Sequence, residues 1–439
     1  MACLPCLDPP QIETPNTDAP AANPQFGLGA STVVSIDTDK YVWVYIALDG
    51  TYTAQVFTVD SNGVFTWGAV YNFIDASIDL HQDNILHIAY VDTDKFAIYH
   101  DATYKYADPS FSYYMYVTVC TVSGVTISSH TNNLVMTDHE ANQYNTGITG
   151  GIWYHRYGDI WSDGGTNIYL TTMFKPLAGD CSTTGTYELV TLAGSLSGEA
   201  ITWATTTCTN GGTNNVRDWQ VIESTVGTTT GAIEVIDNDG GTYAVMIHDD
   251  DGDDDLNVRA FNSGSYGSEV TLPSSSTASG VYSEFMLLRL SDTLSVLVAN
   301  WGAASDTVHL WALSRSGTTM TAGTRHTLNT DDYASEVARL SDTEFILVGY
   351  VADDCDCHAA WKFSVAGTTI SVDDNIDYWY NDLSNHALTL VPDAGSGTHI
   401  LATARRNYNQ DRNWPGVYID ATFTYSGFLT ENTGYWGRP

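Results

Sequence analysis

The chain has 439 residues, with 16 Lys or Arg against 52 Asp or Glu, and a formal net charge of -36. Replacing the counterions of nucleic-acid phosphates takes cations, so this balance excludes nucleic acid as an expected partner. Charged residues make up only 15% and hydrophobic residues 43%, which leaves ample apolar material for a core, and 37 Gly with 27 Tyr describe strands joined by tight turns and disfavour a helical enzyme.

The opening MACLPCLDPP has neither a basic n-region nor an apolar run, so no N-terminal signal peptide is recognised, and no stretch approaches the roughly 20 apolar residues of a membrane span. Pro5, Pro9, Pro10, Pro15, Pro20 and Pro24 crowd the first 24 residues, where no period of 2 or 3.6 is visible. Proline blocks both helix and ladder donors, so residues 1–30 are expected to be an extended arm. Such an arm stays ordered only when docked. Cys3, Pro5, Cys6, Pro9 and Pro10 are its expected docking residues on a neighbouring protein subunit.

From residue 31 to 439 the chain reads as short strands in a recurring unit: an apolar stretch, an Asp turn, a very apolar stretch, a third strand and a Gly hairpin. The clearest copies are LLRLSDTLSVLVAN, VARLSDTEFILVGY and LTLVPDAGSGTHILATA. The turn aspartates are Asp39, Asp83, Asp163, Asp239, Asp292, Asp342 and Asp393. The closing hairpins centre on Gly63, Gly124, Gly198, Gly267, Gly317, Gly367 and Gly427, where a tight turn asks for positive φ. Both series count seven. A four-stranded unit cannot bury its two faces alone, whereas several packed radially share a core and leave short edges. The fold class predicted is all-β: a seven-bladed β-propeller with an extended N-terminal arm. The competing reading is a string of β-sandwiches, but no Pro- or Gly-rich linker separates the units.

Several constellations bear on chemistry. The hairpin VDSNGVFTW, with Asp60, Gly63 and Trp67, is similar to the Asp-box turn of sialidase-type propellers, but its spacing is wrong by one at both intervals. Arg405 and Arg406 are not tied by spacing to a Tyr and Glu pair, and among 52 acids a carboxylate pair at glycosidase separation arises by chance. No Gly-x-Ser-x-Gly elbow, His-Glu-x-x-His helix or phosphate loop is present. Cys355, Cys357 and His358 lack the spacing for haem attachment; they suit zinc together with Cys3 and Cys6, or else are loop cysteines or disulfide partners of the arm. Cys181 and Cys208 flank the outer half of the third unit and are candidates to staple its insertion.

In the run 249–255, Asp249, Asp251, Asp253 and Asp255 crowd like charges on a hairpin tip, which a calcium ion with oxygen ligands would relieve; the alternative is a solvated acidic loop. Insertions of the second and third units carry Tyr113, Tyr114, Tyr116, Trp153, Tyr157 and Trp161, read as a recognition surface for a glycan or cell-surface receptor, with core filling as the alternative.

The units of the form LSDTxFxLVGY followed by SVAGTTISV resemble β-propeller repeats of virion-associated proteins of tailed bacteriophages. The resemblance implies a non-enzymatic structural or receptor-binding role. On that reading the chain is a virion or extracellular component, its arm docked on a neighbour and its propeller facing outward. The rivals are a self-assembling filament or surface-layer subunit, and a secreted carbohydrate-binding or glycoside-cleaving propeller.

Overall fold

The computed structural model describes residues 26–37, 39–47, 52–59, 65–73, 78–79, 86–104, 113–137, 158–164, 166–174, 187–207, 215–217, 219–226, 233–238, 243–250, 255–262, 265–272, 281–302, 306–330, 332–351, 357–380, 386–393, 397–404, 415–420 and 425–430. Their regular elements are all β-strands. They build seven antiparallel sheets of four or five strands and one two-stranded hairpin, so the all-β, propeller-like architecture read from the repeats is found. In each of the seven, the first long strand pairs with the second, the second with the third, and the third with the strand or strand pieces that follow it.

The leading strands of the seven sheets are Phe26–Asp37, Leu86–Asp92, Gly158–Ser162, Ile233–Asn238, Val281–Ser291, Asp332–Ser341 and His386–Asp393. Each touches the leading strand of the following sheet, and the seventh touches the first. The first leading strand begins at Phe26, five residues ahead of the boundary drawn at 31. The proposed docking residues Cys3, Pro5, Cys6, Pro9 and Pro10 lie outside the described residues.

The very apolar second strands have a physical cause. In Leu294–Gly302, Leu297, Ala299 and Trp301 pack toward the fourth sheet, while Val296 and Val298 pack toward the sixth. Such a strand buries both faces, so it reads as a continuous apolar run rather than an alternating one. The hydrophobic clusters accordingly form at the seams between successive sheets.

Asp39, Asp163, Asp292 and Asp342 do lie in the turns after leading strands, and Asp393 ends one. Asp83 and Asp239 lie outside the described residues. The second sheet has its turn further along the chain. Its leading strand runs to Asp92 and turns through Thr93 and Asp94, so VDTDK there repeats IDTDK of the first sheet. Of the hairpin glycines, Gly124, Gly198, Gly317 and Gly367 sit at tips with φ between 61° and 64°, the left-handed region closed to most residues.

Gly427 lies inside the strand Tyr425–Thr430, and Gly63 is outside the described residues. Gly267 is a different device. It interrupts the fourth strand of its sheet between Ser265–Tyr266 and Val270–Leu272, as Gly68 and Gly323 do in the first and fifth sheets. Each donates its N–H back to the third strand, to Val56, Ala260 and Ala312 for Gly68, Gly267 and Gly323. A Cβ at Gly68, Gly267 or Gly323 would collide with the backbone carbonyl of Val125, Thr318 or Thr368, each at the hairpin tip of the next sheet. The recurring glycine therefore lets one sheet's outermost hairpin seat on the bulge of the sheet before it.

Candidate functional site at the start of the leading strands

The aromatic surface expected in the second and third units is corrected at its centre. Trp161 lies on the leading strand of the third sheet at 2% exposure, stacked on Tyr169 with centroids 4.1 Å apart and with Phe261 edge-on at 5.7 Å. It fills the seam with the fourth sheet, because alternate residues of a leading strand face the neighbouring sheet. Tyr113, Tyr114 and Tyr116 belong to the strand Tyr113–Ser123 and not to an insertion. Tyr116 stacks on His100 at 5.7 Å. Trp153 and Tyr157 lie outside the described residues.

The acidic run is described only at its two ends. Asp249 pairs with Leu256 and Asp250 with Asp255 where the strands Tyr243–Asp250 and Asp255–Asn262 meet, and Asp251 and Asp253 lie outside the described residues. No group of three or more His, Cys, Asp or Glu is placed to hold a metal among the described residues. Cys181, Cys208 and Cys355 lie outside them as well, and Cys357 starts the strand Cys357–Ala366.

The turn aspartates are makers of structure first. Asp163 accepts hydrogen bonds from the Thr166 and Asn167 amides at 3.1 and 2.8 Å. Partial burial pushes its pKa up, but these bonds outweigh that and hold it below the ordinary carboxylate value. Asp292 pairs with Arg289 at 2.6 Å, and Asp342 with Arg339.

A different constellation stands out at the opposite ends of the leading strands. Asp159, the second residue of Gly158–Ser162, is buried at 6% exposure. Its Oδ1 accepts the Ile160 amide at 2.7 Å, and its Oδ2 accepts the amide of Val235, on the next leading strand, also at 2.7 Å. His87, the second residue of Leu86–Asp92 on the preceding sheet, brings Nδ1 to 3.0 Å from Oδ1. The His87 side chain is 31% exposed and that of Asp159 8%. One carboxylate thus joins three successive leading strands. A buried carboxylate is tolerated only when its lone pairs are filled, and here two amides and an imidazole fill them.

The seam between the fifth and sixth sheets shows what a purely structural version looks like. Buried Asn300 donates Nδ2 to the Ala334 carbonyl at 2.7 Å and accepts the Ala334 amide at 2.8 Å. Ala334 and Val235 are both the third residue of their leading strands. The neutral amide of Asn300 closes both backbone groups without carrying a charge. The carboxylate of Asp159 closes one amide on the next strand and keeps the capacity to fix an imidazole. With Nδ1 committed to a carboxylate, the His87 ring presents Nε2, whose lone pair in the neutral form accepts a donor, ligates a metal or takes a proton.

Sequence reasoning passed over both residues, since neither belongs to a motif. The available signal was a His and an Asp, each one residue into an apolar leading strand, in LHIAYVD and GDIWSD.

No family model and no curated protein matches the sequence. Among solved structures, the chain is similar to a hypothetical selenium-binding protein from Sulfolobus tokodaii, at 10% identity and a TM-score of 0.48 over 88% of each chain. It is similar to a candidate 6-phosphogluconolactonase from Bacteroides uniformis, at 9% identity and 0.44 over 85% of this chain and 90% of the other. It is also similar to prolyl oligopeptidase B from Galerina marginata, at 12% identity and 0.40 over 86% of this chain and 47% of that one. These folds are propeller-like, and likeness at this level carries no activity to the chain.

The expectation of a virion structural component is corrected by this comparison: the similar structures include enzymes such as the oligopeptidase, and none of the three is described as a virion or filament protein. The physical reason is that LSDT turns and SxxG hairpins report hairpin geometry, which propellers of every use share.

Proposed function

We propose that the chain is a closed seven-bladed β-propeller that works as a non-catalytic binding protein, with His87 as the ligand-contacting group at the end of the central channel where the leading strands begin. The cycle of contacts among the seven leading strands supports the closed ring. The single observation that carries the binding reading is the amide-pinned Asp159 holding an imidazole that is one-third exposed, where Asn300 at the seam between the fifth and sixth sheets closes the backbone with a neutral side chain. A net charge of -36 turns anionic ligands away. The fitting ligand is neutral or cationic and offers Nε2 a donor: a hydroxyl, an ammonium or a d-block cation.

The test is isothermal calorimetry of the full chain against zinc, nickel, spermidine and neutral oligosaccharides, with His87→Ala beside it. A probe that binds the parent and loses at least tenfold in affinity in His87→Ala supports the reading. Equal affinities for every probe that binds, or none binding, overturn it. Turnover of ester or lactone substrates that is lost in His87→Ala would replace binding by general-base catalysis.

A further inference from the structure

The seam between the second and third sheets closes at its outer edge in a way the glycine seams do not. The residue after the tip glycine is Val125, Thr318 or Thr368 where a bulge glycine receives it; in the third sheet it is Glu199, after Gly198. The second sheet offers no bulge glycine there. Its third and fourth strands, Tyr113–Ser123 and Thr126–Thr137, present hydroxyls instead.

Thr121 Oγ1 donates to Glu199 Oε1 at 2.6 Å, Thr131 Oγ1 donates to Oε2 at 3.0 Å, and Ser129 Oγ donates to Oε1. Asn133 closes the backbone: its Nδ2 donates to the Glu199 carbonyl at 2.9 Å, and its Oδ1 accepts the Ile201 amide at 2.7 Å. Three hydroxyls donating to one carboxylate is a cluster built for the ionised form. A protonated carboxyl carries a hydrogen of its own and cannot accept all three with the same strength.

We propose that Glu199 is a proton-operated latch, which when ionised holds the third sheet's last hairpin to the outer strand of the second and when protonated lets that seam part. This device is independent of the ligand reading for His87, although both lie on the seam between the same two sheets. The other titratable groups packed around it are His130 on the fourth strand of the second sheet, whose Nδ1 is 2.8 Å from the Tyr71 hydroxyl of the first sheet, and the buried thiol of Cys120. Lys95 lies in register with Thr121, with its Nζ 3.9 Å from Asp92.

Partial burial raises the Glu199 pKa, but the hydroxyl bonds outweigh it and, with help from His130, hold it below 4.5. A carboxylate whose folded pKa is depressed stabilises the fold above the unfolded value. That contribution disappears as pH falls through the folded value, so the latch releases below about pH 4.5.

The experiment is thermal unfolding of the full chain from pH 7 to pH 3, for the parent and Glu199→Gln. The amide keeps the size and removes the titration. The expected result is a Tm gap that is widest at pH 7 and narrows below pH 4.5. Parallel curves across the range would overturn the proposal. If Glu199→Gln does not fold, the double variant Ser129→Ala with Thr131→Val serves, since removing donors lets the carboxyl titrate higher. Its acid transition then moves to higher pH, and an unmoved transition overturns the latch equally.

Discussion

The seam between the fifth and sixth sheets and the seam between the second and third hold the same kind of sheets together by different chemistry. At the first, Gly323 leaves room for the Thr368 carbonyl and Asn300 closes the backbone of Ala334, all with neutral groups. At the second, the carboxylate of Glu199 secures the outer edge and the carboxylate of Asp159 meets His87 at the inner one. Neutral closure is fixed by shape and does not respond to solution conditions. Ionic closure responds to protons and leaves polar groups within reach of a ligand. The repeat is most regular where nothing but packing is asked of it, and departs from itself where titratable groups have taken over the seam.

The sharpest way to break this comparison is to fill the glycine seat. Gly323→Val places a side chain against backbone atoms of Thr368 that cannot move without moving the sixth sheet's hairpin. We expect a loss of about 3 kcal/mol or more in urea unfolding, at the upper end of overpacking costs. Ser128→Val, on the outer strand of the second sheet where no glycine seat exists and the side chain is exposed, should stay within about 0.5 kcal/mol. Equal effects at the two positions would show that the seams do not differ as described.

Next in size is the neutral clamp. Asn300→Ala leaves the buried amide and carbonyl of Ala334 without their partner, which costs about 2–3 kcal/mol. The loss should be the same at pH 7 and pH 4, because no titrating group takes part in the clamp. A loss that changes with pH would tie this seam to ionisation and erase the contrast with the Glu199 seam.

The same contrast explains what the sequence made legible. LSDTLSVLVAN and LSDTEFILVGY announce leading strand, turn and buried second strand because two-faced burial demands an apolar run and a tight turn demands Asp and Gly. The repeat is hardest to read in the second sheet, where Ile78–Asp79 and Leu86–Asp92 pair with the same neighbouring strand and Asp83 competes in sequence with the turn at Thr93 and Asp94. Gly267 reads as a tip because a bulge glycine and a turn glycine look alike in one dimension. Trp161 reads as surface because ring content carries no sign of which face a strand residue occupies. His87, Asp159 and Glu199 were illegible because their partners stand 72, 76 and 70 residues or so away, from Asp159 to Val235 or from Ser129 to Glu199, and single residues on separate sheets make no motif.

The smallest effect separates conformation from packing. Gly317 sits at a hairpin tip with φ 61° and open space where a Cβ would stand, so Gly317→Ala tests the backbone alone. Holding an L residue in the left-handed region costs about 1 kcal/mol. Gly323→Ala differs in kind, since its φ is ordinary and the whole cost is collision with Thr368. Urea unfolding of both should therefore rank Gly323→Ala above Gly317→Ala. The reverse order would mean that the hairpin tip yields less easily than the seam, and that the sheets are held by their turns rather than by their seating on one another.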